Sequence, residues 1–193
     1  MIRAIMGLGN PLARYANTRH NLGRMAMEAM REKSGLNWKS YFWKNYLWCQ
    51  SADEPLLVLS KTYMNLSGEA AYKMAKNRGL KPSEVLIILD DCFLPLGKLR
   101  YRKEGSSGGH NGLGSVLEAF GTEEVPRLRM GTGIGSCRMA DRVLEDFPAE
   151  DLPMVAAMTD YLSDLPKRLS LNEEKTINEI NNWRAPNLED ASN

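Results

Sequence analysis

Val85-Leu86-Ile87-Ile88-Leu89 is an unbroken β-branched and leucine run that stops at two acids, Asp90-Asp91. Five apolar residues in a row leave no polar face. A strand made of them lies in mid-sheet with both sides covered. The rest of the chain alternates further strands with helical segments, which predicts an α/β fold: a single domain with a central mixed, largely parallel sheet flanked by helices on both faces.

The pattern around this run is readable in outline. Ile2 to Met6 is a short apolar strand entering a Gly7-Leu8-Gly9 turn, and 10–21 is a polar loop. Leu22, Met25, Ala26, Ala29 and Met30 follow helical spacing up to a terminator at Gly35. Phe42 to Gln50 and Leu56 to Ser60 read as a β-hairpin. A helix from about Leu66 ends at Gly79, and a basic strand covers Lys98 to Arg102. The glycine-rich loop 105–109 precedes a helix over Asn111 to Phe120, and Arg127 to Thr132 alternates as another strand. Beyond Pro148 the pattern is helical, with a break near Leu165-Pro166 and a restart behind Ser170, where Ser170 and Glu173 fit a capping box. The domain is expected over 1–185, with a flexible tail over 186–193.

Composition excludes several classes. Hydrophobic residues at 43% and charged residues at 25% of 193 are those of an ordinary globular chain, not of a disordered or fibrous one. No apolar run approaches the roughly 20 residues needed to span a bilayer. Met1 to Gly7 has neither signal-peptide nor transit-peptide character, so the cytoplasm is the expected location. Cys49, Cys92 and Cys137 are far apart without C-x-x-C spacing, which predicts reduced thiols rather than a disulfide framework or zinc site. The net charge of +1 means that any nucleic-acid surface must gather its cations on one face. Lys98, Arg100 and Arg102 share a face by alternation, with Arg127 and Arg129 on a later strand.

Three loops carry polar groups suited to chemistry. Gly7-Leu8-Gly9-Asn10-Pro11-Leu12 begins like a dinucleotide fingerprint but has Leu12 at the third glycine and does not open into a helix. Its glycines read instead as a turn that permits positive φ. Asn10 nevertheless stands beyond a strand's C-terminal end, where open α/β sheets place ligands. His20 and His110 lie in polar loops, and Asp90 follows the buried strand, where a carboxylate can hold an imidazole. Asn65 sits at a strand-to-helix turn, where it reads equally as a helix cap. The loop 105–112 lacks the Gly-Lys-Ser/Thr ending of a phosphate loop, so a nucleotide triphosphatase is excluded. A Cys92 nucleophile is disfavoured by the two acids before it, which raise a thiol's pKa.

Taken together, these residues resemble the bacterial-type peptidyl-tRNA hydrolase family. The match runs through Gly7-Leu8-Gly9-Asn10-Pro11, Tyr15, Thr18-Arg19-His20-Asn21, Tyr63-Met64-Asn65-Leu66-Ser67-Gly68 and Asp90 with Leu94-Pro95. It continues through Gly97-Lys98, Gly108-Gly109-His110-Asn111-Gly112-Leu113 and Arg127-Leu128-Arg129 with Gly131, in the family's order over about residues 2 to 185. The resemblance implies hydrolysis of the ester joining a peptide, or an N-blocked aminoacyl group, to the 3′-terminal ribose of tRNA. It implies His20 as the general base that activates water, Asp90 holding its other ring nitrogen, and Asn10 and Asn65 at the reacting end. Asn111 would bind near the acceptor end or help place the water, His110 would contact the substrate or tRNA, Tyr15 and Met64 would line the peptide cleft, and Arg102 and Arg129 would hold phosphate. No metal, no cofactor and no obligate protein partner are implied, and a monomer is expected.

The chemistry suits the residue types, since an imidazole with an ordinary pKa of about 6.5 is a serviceable base near neutral pH. The chain departs from the family pattern at Leu12 (usually glycine), at Leu89 and Phe93 around Asp90, at Ser60 (usually proline) and at Ser106-Ser107. These changes surround the cleft without deleting a catalytic group. The alternative reading is a catalytically silent RNA-binding relative, as among plant-organelle splicing factors. Such a protein would be expected to carry a transit peptide and an apolar patch for its partner.

Overall fold

The computed structural model describes residues 1–133 and 142–185; Cys137 and the expected tail 186–193 lie outside them. The strands are β1 (Ala4–Gly7), β2 (Tyr46–Cys49), β3 (Leu56–Ser60), β4 (Val85–Asp91), β5 (Leu99–Arg102) and β6 (Arg127–Gly131). They form one sheet in the order β2-β3-β1-β4-β6-β5. The inner strands β3, β1, β4 and β6 pair in parallel. The two edge strands are antiparallel to their neighbours. This is the mixed, largely parallel sheet expected.

Helices α1 (Leu22–Lys33), α4 (Leu152–Leu162), α5 (Leu165–Leu171) and α6 (Glu173–Asn182) cover one face, and α2 (Ser67–Arg78) and α3 (Asn111–Phe120) the other. β4 feeds both cores in strict alternation. Leu86 and Ile88 join the first, and Val85, Ile87 and Leu89 the second. Because both faces of β4 are apolar, a one-residue slip would expose nothing by itself. It would, however, pull Asp90 away from the two imidazoles that satisfy it, and a buried unpaired carboxylate costs several kcal/mol.

Three local expectations change. Gly7 and Gly9 do not take positive φ. Their role is close approach: a Cβ on Gly7 would lie 2.5 Å from the Gly23 carbonyl oxygen of α1. The edge strand β2 is confined to four residues, because the segment before it leaves the sheet with Phe42 and Trp43 exposed. Ser170 is interior to α5 and donates its hydroxyl back to the Pro166 carbonyl at 3.0 Å. The cap of α6 is Asn172, whose Oδ1 accepts the Lys175 N–H at 2.9 Å. Ser170 lies two residues upstream of that cap, too far to reach the Lys175 N–H while remaining helical.

Candidate active site

The C-terminal ends of β1, β3 and β4 open into a cavity of about 580 Å³. Asn10, Tyr15, His20, Met64, Asn65, Asp90, His110, Asn111 and Arg129 all line it. Nine of the ten residues predicted for the site therefore converge. The tenth, Arg102, is exposed on edge strand β5 and does not line the cavity.

His20 lies in a buried turn, Arg19–Asn21, immediately before α1. Its Nδ1 stands 2.9 and 3.1 Å from the two oxygens of Asp90. Asp90 is itself buried and receives a second imidazole, His110 Nε2, at 3.0 Å from Oδ1. Burial opposes its ionisation, but the two imidazoles, His110 foremost, outweigh burial and hold the carboxyl well below the usual carboxylate range. An ionised Asp90 accepts, so His20 donates through Nδ1 and its Nε2 is the lone-pair nitrogen. Nε2 makes no hydrogen bond among the described residues.

Asn10 is fixed on both sides. Its backbone N–H donates to Asn21 Oδ1 at 2.7 Å, and its carbonyl accepts from Asn21 Nδ2 at 3.0 Å. Its side-chain oxygen accepts the Met64 N–H at 2.9 Å. With the oxygen committed, the amide NH₂ remains as a donor for the cavity. Asn65 and Asn111 are exposed at its rim, and α2 begins without a side-chain cap. Asn65 is therefore not the helix cap that its position also suggested.

The basic face is reorganised. Arg127 is buried, and its guanidinium donates to the carbonyls of Val125, Gly105, Ser106 and Glu123, tying the glycine-rich loop to β6. Burial pulls its pKa down. Arg129 pairs with buried Asp91, Nε to Oδ2 at 2.5 Å, as a salt bridge without hydrogen-bond alignment. Neither Asn21's clamp nor the Asp91–Arg129 pair is readable from sequence, because both join segments distant along the chain. Cys92, at the cavity wall, is disulfide-bonded. The expectation of free thiols thus fails for Cys92, and a thiolate nucleophile there goes with it. Cys49 is free, and burial pushes its thiol up to about 11.

His20, Asp90 and His110 place ligand atoms within 4.8 Å of one another, close enough for a metal ion to be considered. The donor chemistry does not fit one in this arrangement. Asp90 Oδ1 already accepts an N–H from each ring, so neither facing nitrogen has a lone pair to offer a metal.

Residues 4–188 match the family model described as peptidyl-tRNA hydrolase. The chain belongs to the peptidyl-tRNA hydrolase family. A relative from Synechococcus sp. (strain CC9605) named peptidyl-tRNA hydrolase is 39% identical over 95% of both chains. One from Sulfurihydrogenibium sp. (strain YO3AOP1) with the same name is 41% identical over 78% of this chain and 82% of its own. The crystal structure of peptidyl-tRNA hydrolase from Acinetobacter baumannii superposes with a TM-score of 0.86 at 30% identity, covering 95% of this chain and 96% of that one. Membership of the peptidyl-tRNA hydrolase family makes this chain a hydrolase, and among its described residues no helix is long and apolar enough to cross a membrane.

Proposed function

We propose that this hydrolase cleaves peptidyl-tRNA at the ester between the peptide and the 3′-terminal ribose, with His20 Nε2 as the base. The observation that carries the reading is the buried Asp90 carboxylate on His20 Nδ1, which leaves Nε2 unprotonated at the wall of the cavity. Nε2 takes a proton from water as its oxygen attacks the ester carbonyl. The bond to the ribose oxygen then breaks, and that oxygen receives the proton. Such general-base assistance is worth about 10²–10⁴-fold.

The Asn10 NH₂, and Asn65 at the rim, are assigned to the developing oxyanion, where one fixed donor typically contributes about 10²-fold or more. Tyr15 and Met64 border the peptide, and Asn111 the acceptor end. Arg129 and Arg102 are assigned to tRNA phosphates, Arg129 at the cavity and Arg102 at the sheet edge. The reading includes action as a monomer in the cytoplasm, which light scattering and cell fractionation test. A base nitrogen unengaged among the described residues and a fixed amide donor in one cavity favour hydrolysis over a silent RNA-binding role. The deciding assay is turnover of N-acetyl-aminoacyl-tRNA. Wild type should release free tRNA, and His20→Ala should lose at least about 10²-fold in kcat/KM while still binding the tRNA. Unchanged turnover by His20→Ala would rule out the assigned base.

A further inference from the structure

Both ring nitrogens of His110 are committed within the protein. Nδ1 lies 3.1 Å from the backbone nitrogen of Leu113, which it caps at the start of α3. A backbone N–H only donates, so Nδ1 is the unprotonated nitrogen and the ring's hydrogen sits on Nε2. That hydrogen faces Asp90 Oδ1 at 3.0 Å, on the same carboxylate that takes His20 Nδ1. The two ring centroids are 4.7 Å apart. One carboxylate therefore serves two imidazoles, and only that of His20 has a nitrogen unengaged among the described residues.

We propose that His110 is a positioning residue, acting through Asp90 on His20 rather than hydrogen-bonding the substrate. The inference rests on the reading of His20 as the base. A carboxylate beside an imidazole orients it but also favours its protonated form, in which it cannot accept a proton. A second N–H on Oδ1 draws charge from the carboxylate and tempers that effect, while both donors keep Asp90 in one rotamer. The Leu113 cap holds His110 in the donating tautomer. Protonation at its Nδ1 would set two N–H groups against each other at the positive end of α3. The other titratable groups around the cavity leave this trio distinct. Asp91 and Arg129 are paired with each other, Cys92 is disulfide-bonded, and Tyr15 and Tyr63 make no hydrogen bond to Asp90. Arg19, beside His20 in the chain, donates to the Asp146 carbonyl and pairs with Glu145.

Two substitutions separate the ring's two bonds. In His110→Asn the amide oxygen takes the place of Nδ1, so a favoured helix cap is kept while the reach to Asp90 is lost. In His110→Gln the amide nitrogen approximates Nε2, so the donor to Asp90 is kept and the cap is weakened. The pH dependence of kcat/KM on N-acetyl-aminoacyl-tRNA and the NMR titration of the His20 ring are measured for each. For His110→Asn, the acid limb and the His20 midpoint should both move up by about half a unit, with a deficit of about threefold at pH 6 that closes above pH 8. For His110→Gln, the midpoint should stay with that of wild type. An unmoved midpoint in His110→Asn, or an equal shift in both variants, overturns the proposal and returns His110 to a cap or a substrate contact. The NMR midpoint does not depend on turnover. A His20→Ala enzyme with full activity would thus sink the assigned base, whereas an unmoved midpoint would sink only the part given to His110.

Discussion

Asn21 grips the backbone of Asn10 from both sides, its Oδ1 on the Asn10 N–H at 2.7 Å and its Nδ2 on the Asn10 carbonyl at 3.0 Å. Asn21 is almost fully buried, one residue beyond His20, so one turn holds both His20 and Asn10, the residues proposed as base and amide donor. Asn21→Ala leaves a buried N–H and carbonyl unpaired and should cost about 2–3 kcal/mol in urea unfolding. It should also lower kcat more than it raises KM, since Asn10 loses its aim. A variant with full kcat would show that Asn10 needs no such clamp.

Asp90 gives a pH signature. Folding lowers its pKa, so its ionised form stabilises the fold fully above the ordinary aspartate value of about 3.9. That contribution is lost as pH falls from there through the lower folded-state value. Denaturation curves from pH 6 to pH 2.5 should therefore bring wild type and Asp90→Asn together toward the acid end. A constant gap between them would contradict the depressed pKa.

Arg102 and Arg127 face each other across the β5–β6 ladder yet are expected to fail differently. Arg127→Ala strands several carbonyls and should cost about 3 kcal/mol of stability. Arg102→Ala should leave stability within about 0.5 kcal/mol. It should raise KM for the tRNA substrate and reduce the salt dependence of kcat/KM by about one unit of slope. Calorimetry beside a salt titration separates the two.

Gly23 and Gly112 make a second contrast. A Cβ on Gly23 would lie 2.3 Å from the Ile88 carbonyl oxygen and 2.9 Å from that of Leu8, both backbone atoms that cannot step aside. Gly23→Ala should cost about 3 kcal/mol. On Gly112 the nearest atom is Met64 Sδ at 2.3 Å, the end of a flexible side chain. Gly112→Ala should cost less than about 1.5 kcal/mol but displace Met64 at the cavity wall and change KM. Thermal melts with Michaelis kinetics check both.

What sequence alone determined is whatever follows from neighbours along the chain. The apolar run 85–89 required a central strand covered on two sides, alternation required the mixed sheet, and glycines such as Gly79, at φ 61°, marked helix ends. The family's motifs also picked out, by position, nine residues that line the cavity. Tertiary structure decided what each group touches. Arg127 and Arg129 look alike as alternating cations, but one is buried on the carbonyls of a loop, whereas the other pairs with Asp91 while still lining the cavity. Ser170 fits a capping box, but its hydroxyl finds the Pro166 carbonyl inside its own helix. His20 and His110 were two loop histidines. Their difference, one ring with a nitrogen unengaged among the described residues and one with none, arises because β4 brings Asp90 between them while α3 places the Leu113 N–H on His110 alone. Hydrogen-bond partners set a group's protonation and aim, and partners 20 and 70 positions away leave no periodic trace in a chain.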